Sequence, residues 1–446
     1  MFSLTWRAAV SAFCILLAAC ASQPGSTGRE TPIIFVHGNG DTAALWHTTM
    51  WRFESNGYPR DRMFAIDLTH PLARSNDAVA QPNRSSSAEQ MAELAAAVEA
   101  MRRRTRADKV ALVGNSRGAT TIRNYLRRGG GAVYVSEVVL GGGTNHGLID
   151  SATLLVGSEF NAAGPLLRQL NAGPDETGPG PRFLTIRSDN NDKYAQPDGQ
   201  FFGMPGVATG VTFAGPELKG AENLVLPKID HRETAFHPIA FNLMYRFIAR
   251  KVPETLEIVP EVHLTLNGKV SGIEASGPTN LPVAGAAVEI HEVAAATGER
   301  IALRHRQVTQ ADGLWGPFKA DPAARYEFVV TVPGLPVTHI YRSPFPRSSD
   351  VIHLRPLNFA AGDRESGAVV TMSRPRGYFG VGKDVFLLDG KPPPEIKPGV
   401  PSVSVARLRL PPGELRAVPA RFNDESIMAR NWPAAGNHIT VAEFHY

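Results

Sequence analysis

The sequence contains very few cysteines and no strong excess of either charge. Its only cysteines among 446 residues are Cys14 and Cys20, both in the first twenty positions, so the rest of the chain has no disulfide. The formal net charge is +4, and the densest basic run is Arg102-Arg103-Arg104, which we interpret as a solvated helix end. We therefore expect a fold without disulfides and no nucleic-acid partner.

The sequence also lacks a hydrophobic run long enough to span a bilayer. The apolar stretch Ala8 to Ala19 is shorter than the roughly 20 residues that a transmembrane helix needs. Because Leu17-Ala18-Ala19-Cys20 resembles the bacterial lipobox, we predict a lipoprotein signal peptide over residues 1–20. Cys20 would then be lipidated and anchor an exported outer-membrane or cell-surface lipoprotein to the membrane. A plain cleaved signal with an incidental cysteine is the alternative.

Motifs for metals, phosphates and dinucleotides are missing as well. The histidines are dispersed, no H-E-x-x-H or cysteine pair is present, and no glycine-rich phosphate loop or dinucleotide fingerprint occurs. We therefore expect neither a metal nor a cofactor.

Apolar runs that alternate with helical patterns follow a short linker over residues 21–30. The runs are continuous, as in strands buried on both faces, and their alternation with helices predicts a parallel sheet. The predicted strands are Pro32–His37, Met63–Leu68, Lys109–Gly114, Val135–Leu140, Phe183–Ser188 and Asn223–Leu226. One predicted helix runs from Ser87, capped by a box with Gln90, to Arg103, and another follows Ser116 and stops at the triple glycine 129–131.

The chain divides into regions of different pattern. Residues 31–252 are predicted to form the α/β domain, in which the stretch from Thr144 to Pro181 fits no strand and is either a lid or a surface excursion. From Pro253 short alternating strands begin, including Val262–Leu266, Ala287–His291 and Tyr326–Val332. We predict a transthyretin-like β-sandwich over 253–340 and a further β domain over 341–446.

A nucleophile motif lies at the end of the third predicted strand. Gly114-Asn115-Ser116-Arg117-Gly118 matches G-x-S-x-G and is followed directly by a helical pattern. A serine on such a tight turn needs small neighbours two residues away on either side, which the two glycines provide. We predict that Ser116 is a catalytic nucleophile of an α/β-hydrolase fold, with a structural glycine-rich turn as the alternative.

The nucleophile requires a histidine base, because a serine hydroxyl must lose its proton as it attacks. In the α/β-hydrolase fold this base follows the acid in the chain and lies after the last strand of the sheet. His231 lies after the last predicted strand and before the predicted helix Pro238–Arg250. We predict His231 as the base, with His237 as an alternative, whereas His146 comes too early.

Two aspartates compete for the role of the acid that orients this histidine. The segment from Ser188 to Pro197 resembles the part of α/β-hydrolase lipases in which a strand ending in Ser leads to the acid and then to Gln-Pro. Asp192 is in register with that acid. Asp189 is the alternative, and either aspartate would otherwise serve as a turn or helix cap.

The oxyanion hole is predicted from the loop after the first strand. Glycines in His37-Gly38-Asn39-Gly40 let the backbone bend, so that the amide of Asn39 can point at the developing oxyanion. The amide of Arg117 would supply the second donor. His37 itself is expected to be structural.

With these residues in place, the chain resembles a bacterial lipase of the α/β-hydrolase superfamily, and most closely a thermophilic archaeal lipase type with a C-terminal β domain. The shared features include Phe53 to Pro59, Asp108-Lys109-Val110 and Tyr341 to Phe345. The resemblance carries the nucleophile and base onto Ser116 and His231. The acid does not carry over cleanly, because that type places it where this chain has three glycines, 141–143. This difference favours the later Asp192.

The predicted function is hydrolysis of a carboxylic ester with a substantial acyl chain through an acyl-enzyme on Ser116. The expected partners are an ester or lipid substrate and the membrane, which the protein would contact through its lipid anchor and at the lipid interface. The expected enzyme is a lipase or lipase-like esterase. A polyester hydrolase would use the same machinery. A surface-tethered binding or scaffold protein on a retired hydrolase fold is the alternative of a different class.

Overall fold

The computed structural model describes residues 30–274, 277–413 and 415–446. The predicted signal peptide and Cys20 lie outside these residues, so export and lipidation stay predictions. Within the described part of the chain, no helix combines the length and the apolar character needed to cross a membrane.

The first region is built on a six-stranded parallel sheet with the strand order β2-β1-β3-β4-β5-β8. All residues of its first and third strands are buried, because helices cover both faces of the sheet. A short hairpin, β6 with β7, follows the fifth strand. The strands are β1 Ile33–Val36, β2 Met63–Ile66, β3 Val110–Asn115, β4 Val135–Gly141, β5 Arg182–Ser188, β6 Asp198–Gly199, β7 Met204–Ala208 and β8 Glu222–Leu226.

The six predicted strands of this sheet are confirmed, with ends that differ by at most two residues. The helices of the region are α1 His47–Ser55, α2 Ser87–Thr105, α3 Arg117–Arg128, α4 Pro165–Leu170, α5 Glu233–Phe236 and α6 Pro238–Ala249. The predicted helix after Ser116 is confirmed as α3, which ends just before the triple glycine.

The predicted capping box of α2 is wrong by one residue. The cap is Ser86, whose hydroxyl accepts from the amide of Glu89, while the Glu89 carboxylate accepts from the amide of Ser86. Ser87 instead donates its amide and hydroxyl to the carboxylate of Asp77, both at 2.6 Å. Because three serines stand in a row here, the sequence pattern alone did not decide which of them would cap the helix.

The stretch from Thr144 to Pro181 contributes no strand to the parallel sheet, as predicted, and contains only the short helix α4. Glu159 links this stretch to α3, because its buried carboxylate binds the guanidinium of Arg117 at 2.7 and 2.6 Å. The role of the stretch as a lid stays a prediction.

The second region is rich in β-strands, as predicted. Its main sheet has seven strands in the order β13-β12-β15-β16-β22-β17-β19. Two smaller sheets pair β10 with β11 and β9 with β14, and a third has the order β18-β20-β21. The strands are β9 Leu264–Lys269, β10 Ser271–Glu274, β11 Gly277–Pro282, β12 Ala287–Val293, β13 Arg300–Val308, β14 Leu314–Ala320, β15 Arg325–Thr331, β16 Val337–Arg342, β17 Ala368–Ser373, β18 Phe386–Leu388, β19 Val405–Leu410, β20 Ala417–Phe422, β21 Glu425–Arg430 and β22 His438–Glu443.

The predicted boundary between residues 340 and 341 falls inside β16. This strand pairs with β15 on one side and, in parallel, with β22 on the other. The two predicted β domains therefore contribute strands to one continuous sheet.

The two regions are packed against each other. Trp51 on α1 is buried in the apolar core of the β-rich region, and its indole N–H donates to the carbonyl of Ser348 at 2.9 Å. The structure thus consists of an α/β region built on a parallel sheet and a β-rich C-terminal region, and Trp51 joins the two in a shared core.

Candidate active site

Ser116 lies on the tight turn between β3 and α3 with φ 56° and ψ −123°. A non-glycine residue is strained in this conformation, which neighbouring contacts must hold in place. The turn is crowded on both sides: a Cβ on Gly118 would lie 2.4 Å from the carbonyl oxygen of Val36, and one on Gly114 would lie 2.9 Å from the backbone of Gly118. The two glycines of the motif are therefore required by close packing.

The loops after β5 and β8 bring Asp192 and His231 together. The Nδ1 atom of His231 lies 2.8 Å and 2.9 Å from the two carboxylate oxygens of Asp192, and both side chains are buried. Because a carboxylate can only accept, Nδ1 carries the proton and donates it in this contact. The other ring nitrogen is then left as the acceptor, which is the form that a general base needs.

The Nε2 atom of His231 is buried and has no hydrogen-bond partner within the described residues. His231 and Ser116 line the same pocket, whose empty space is about 430 Å³ with its open mouth included. The other lining residues come from the loop after β1, from the carboxyl ends of β3, β5 and β8 or the loops that follow them, from the Thr144–Pro181 stretch and from the β-rich region: Gly38, Asn39, Asp41, Asn115, Thr144, Leu148, Phe160, Tyr194, Arg232 and Tyr378. The histidine with the unpaired nitrogen therefore lines a cavity that the serine shares.

The alternative acid and bases are occupied elsewhere. Asp189 accepts from the backbone amides of Asn191 and Lys228, at 3.1 and 3.0 Å. His237 accepts from the amide of Ile239 at the start of α6. His146 contacts the carboxylate of Glu176 at 3.1 Å. None of these three side chains is among the residues that line the pocket.

The predicted oxyanion donors lie on the two loops that meet beside Ser116. Asn39 lines the pocket, and its side-chain oxygen accepts from the amide of Ala73 at 2.7 Å, which fixes the loop after β1. Arg117 is the first residue of α3, so its amide has no acceptor within the helix. Its side chain points away into the buried pair with Glu159. The roles of both amides stay predictions.

His37 is placed as a structural residue beside this loop. Its Nε2 accepts from the amide of Leu68 at 3.1 Å, so its Nδ1 carries the hydrogen and donates to the carbonyl of Gly38 at 2.9 Å. Burial lowers the pKa of His37, which keeps the ring neutral. The histidine thus holds the end of β1 without a charge.

Sequence reasoning missed the contribution of neighbouring aromatic and basic groups. The Tyr194 ring lies edge-on against the His231 ring at 4.7 Å, and its amide donates to Asp192 at 2.8 Å. Tyr378 reaches the same pocket from the β-rich region. Lys193 lies over the Tyr378 ring at 4.2 Å, and burial lowers its pKa to about 8. The ring contacts have no local sequence signal, because Tyr194 and His231, like Lys193 and Tyr378, are far apart in the chain.

The geometry defines the class of the protein. A parallel sheet with a strained serine between a strand and a helix, and a carboxylate–imidazole pair at the carboxyl ends of later strands, is the arrangement of an α/β-hydrolase.

Two family models match parts of this chain. Residues 30–148 match the class 2 lipases, and residues 262–359 match the lipase C-terminal domain. Together with the fold and the site, these two matches support a lipase-type α/β-hydrolase that acts on carboxylic esters.

Solved structures with similarity to the chain include lipases. The propeptide form of Bacillus licheniformis lipase BlEst2 is 15% identical over 90% of this chain and 92% of its own, with a TM-score of 0.37. The mature form of that lipase is 22% identical over 50% of this chain and 91% of its own, with a TM-score of 0.35. Aspergillus fumigatus lipase B is 14% identical over 51% of this chain and 54% of its own, with a TM-score of 0.35. No curated protein matches the chain.

Proposed function

We propose that this protein hydrolyses carboxylic esters through an acyl-enzyme on Ser116, as a lipase or lipase-like esterase. The observation that carries the proposal is the buried contact of 2.8 to 2.9 Å between Asp192 and the Nδ1 atom of His231, with the other ring nitrogen unpaired in the pocket that Ser116 lines. This contact fixes the tautomer in which Nε2 can take the proton of the serine.

In the proposed reaction the Ser116 oxygen attacks the ester carbonyl while His231 accepts the hydroxyl proton. The amides of Asn39 and Arg117 stabilise the oxyanion, and the protonated His231 then gives its proton to the departing alcohol. Water, activated by the same histidine, attacks the acyl-enzyme and releases the acid. Asp192 stays ionised throughout and stabilises the imidazolium ring.

The pocket walls support a substrate with an apolar acyl part. Leu148 and Phe160 line one side, and Tyr194 and Tyr378 line another. Aromatic and aliphatic side chains bury acyl carbons favourably, whereas Asp41 and Arg232 add polar groups to the same lining. An ester that joins an apolar acyl chain to a polar alcohol fits this mixed surface.

The test is a comparison of wild type with Ser116→Ala on p-nitrophenyl esters of increasing chain length and on emulsified triacylglycerol. Losing the nucleophile should lower kcat by roughly 10⁴-fold or more. A fluorophosphonate probe should label the wild type and not the variant, since only an activated serine reacts. Turnover that survives in Ser116→Ala would overturn the proposal.

A further inference from the structure

The turn that carries His231 is held by two carboxylates. The side chain of Asp230 accepts from the amide of Glu233 at 2.9 Å, and the side chain of Glu233 accepts from the amide of Asp230 at 2.7 Å. This reciprocal pair has the pattern of a capping box, although it closes the turn that leads into α5 and not the first turn of that helix, and His231 lies inside it. The position of the imidazole ring therefore depends on the closure of the box.

Such a box places two buried carboxylates next to each other. Both side chains are almost fully inaccessible, so their mutual repulsion is weakly screened. Burial and the neighbouring Glu233 raise the pKa of Asp230. An uncompensated pair of this kind would take up a proton or open, because like charges cannot both stay ionised in the interior.

Arg374, from the β-rich region, compensates both charges. Its Nη1 lies 3.1 Å from Asp230 and its Nη2 lies 2.8 Å from Glu233, and its side chain is only 3% exposed. Burial acts to raise the pKa of Glu233, but the charges of Arg374 and Lys383 outweigh burial and hold this pKa below its usual range. One guanidinium thus bridges the two sides of the turn with a separate nitrogen for each carboxylate.

The segment around Arg374 adds further contacts to the same turn. The amide of Tyr378 donates to Asp230 at 2.7 Å, and Arg232 donates from Nη1 to the carbonyl of Pro375 at 2.9 Å. Arg374 also donates to the carbonyl of Tyr378, which fixes the segment on itself. Arg374, Pro375 and Tyr378, which we term the clamp segment, therefore bind the residues on either side of His231.

We propose that Arg374 is a positioning residue of the active site: by binding Asp230 and Glu233 together, it holds His231 in place against Asp192. The inference rests on the proposed function of His231 as base. It makes the β-rich region a part of the catalytic apparatus, in addition to any contact with the substrate.

The experiment compares Arg374→Met and Arg374→Lys with the matched control Arg376→Met in the full chain. Arg376 is equally buried and close in sequence, but it does not belong to the clamp segment, because it donates to the carbonyls of Phe444 and His445 in the β-rich region. Each variant is assayed for kcat and KM on a soluble p-nitrophenyl ester and for the rate of fluorophosphonate labelling, at a temperature where near-UV circular dichroism shows it folded.

Arg374→Met should lower kcat and the labelling rate together by about 10- to 100-fold, with KM nearly unchanged, because small displacements of a catalytic group have effects of this size. Arg374→Lys keeps the charge but has one nitrogen where the guanidinium has a separate nitrogen for each carboxylate. This variant should therefore recover part of the lost kcat and labelling rate. Arg376→Met should lower the melting temperature and leave kcat and labelling close to wild type.

Wild-type kcat and labelling in folded Arg374→Met would overturn the inference, as would equal losses in the Arg374→Met and Arg376→Met variants. If Arg374→Met does not fold, Arg374→Lys decides alone: a lower kcat at unchanged KM supports the inference, and a wild-type kcat overturns it. Failure of the proposed function looks different, since the wild type itself would then resist the fluorophosphonate.

Discussion

The two main sheets of this molecule differ in where they place a buried pair of histidine and carboxylate. In the parallel sheet the buried Glu137 lies within β4 and pairs with arginines, whereas Ser116, Asp192 and His231 lie on loops beyond the carboxyl ends of the strands. In the seven-stranded sheet buried ionisable groups stand within the strands, such as Glu327 on β15 and His339 on β16, in contact at 2.7 Å. A buried histidine paired with a carboxylate therefore lines a pocket in the first region and lies within the sheet in the second.

The difference teaches that a carboxylate–histidine contact does not by itself mark an active site. His339 donates to Glu327 much as His231 donates to Asp192, but its second nitrogen contacts His438 at 2.8 Å, and Trp432 stacks on its ring at 4.4 Å. What distinguishes His231 is the unpaired nitrogen in a pocket that it shares with a strained serine.

Among the substitutions that test this difference between the two histidine–carboxylate pairs, Asp192→Asn is expected to have the largest effect. The amide cannot stabilise a charged imidazole and no longer enforces the reactive tautomer, so kcat should fall by about 10⁴-fold. Steady-state kinetics on a soluble ester measure the loss. Asp189→Asn is the matched control and should retain most of the activity, because Asp189 serves backbone amides. A larger loss in the Asp189 variant would assign the acid to that residue instead.

The next effect concerns the packing that unites the regions. Trp51→Ala should cost about 3 to 5 kcal/mol of stability, because it empties a site in the core of the β-rich region. Urea unfolding followed by fluorescence and by far-UV circular dichroism should then give separate transitions where the wild type gives one. Trp46→Ala, which empties a site in the first region's own core, should lower stability without separating the probes. Coincident transitions in Trp51→Ala would show that this side chain does not couple the regions.

The smallest effect is a change in acid stability. Burial acts to raise the pKa of Glu327, but hydrogen bonds from His339 and Arg300 outweigh burial and lower this pKa to about 2. A depressed carboxyl pKa stabilises the fold above the unfolded value, and the stabilisation is lost as the pH falls toward 2. Glu327→Gln should therefore be less stable than wild type by as much as about 3 kcal/mol at neutral pH, and the difference should shrink between pH 5 and 3.

Melting temperatures across this pH range test that expectation. The control is Glu299→Gln, since the Glu299 side chain is 62% exposed in its pair with Arg430 and should contribute little at any pH. A wild type and a Glu327→Gln variant with parallel pH curves would contradict the assigned role of the carboxylate.

Much of the first region could be predicted because its signals are local. A continuous apolar run predicted each parallel strand. The glycines on either side of Ser116 predicted the tight turn between β3 and α3, because that turn has no room for larger residues. The strand order of the second region had no such signal. Its strand β22 pairs with β16 and β17, about 100 and 70 positions earlier in the chain, and pairing at this range depends on which surfaces meet.

The residues of the candidate site also divide into those with a local sequence signal and those without one. Chain order, a local motif and a resemblance to a lipase segment pointed to Ser116, Asp192 and His231. The structure brings the last two into contact, and Ser116 lines the same pocket as His231. Arg374 had no comparable signal, because its partner Asp230 is 144 positions away and an isolated arginine after a strand predicts nothing. The capping box around His231 was present in the sequence, but its function depends on a charge that only the folded chain supplies.

The place of β22 in its sheet has a consequence for how the protein comes to be active. This strand, formed by residues 438–443, runs between β16 and β17 and is parallel to both. Synthesis proceeds from the N-terminus, and the parallel sheet of the first region can form while later residues are still being added. The second sheet, however, has a gap between β16 and β17 until residues 438–443 have been synthesised. The clamp segment follows β17 directly, so the turn that carries His231 can be secured only after those residues have joined the sheet.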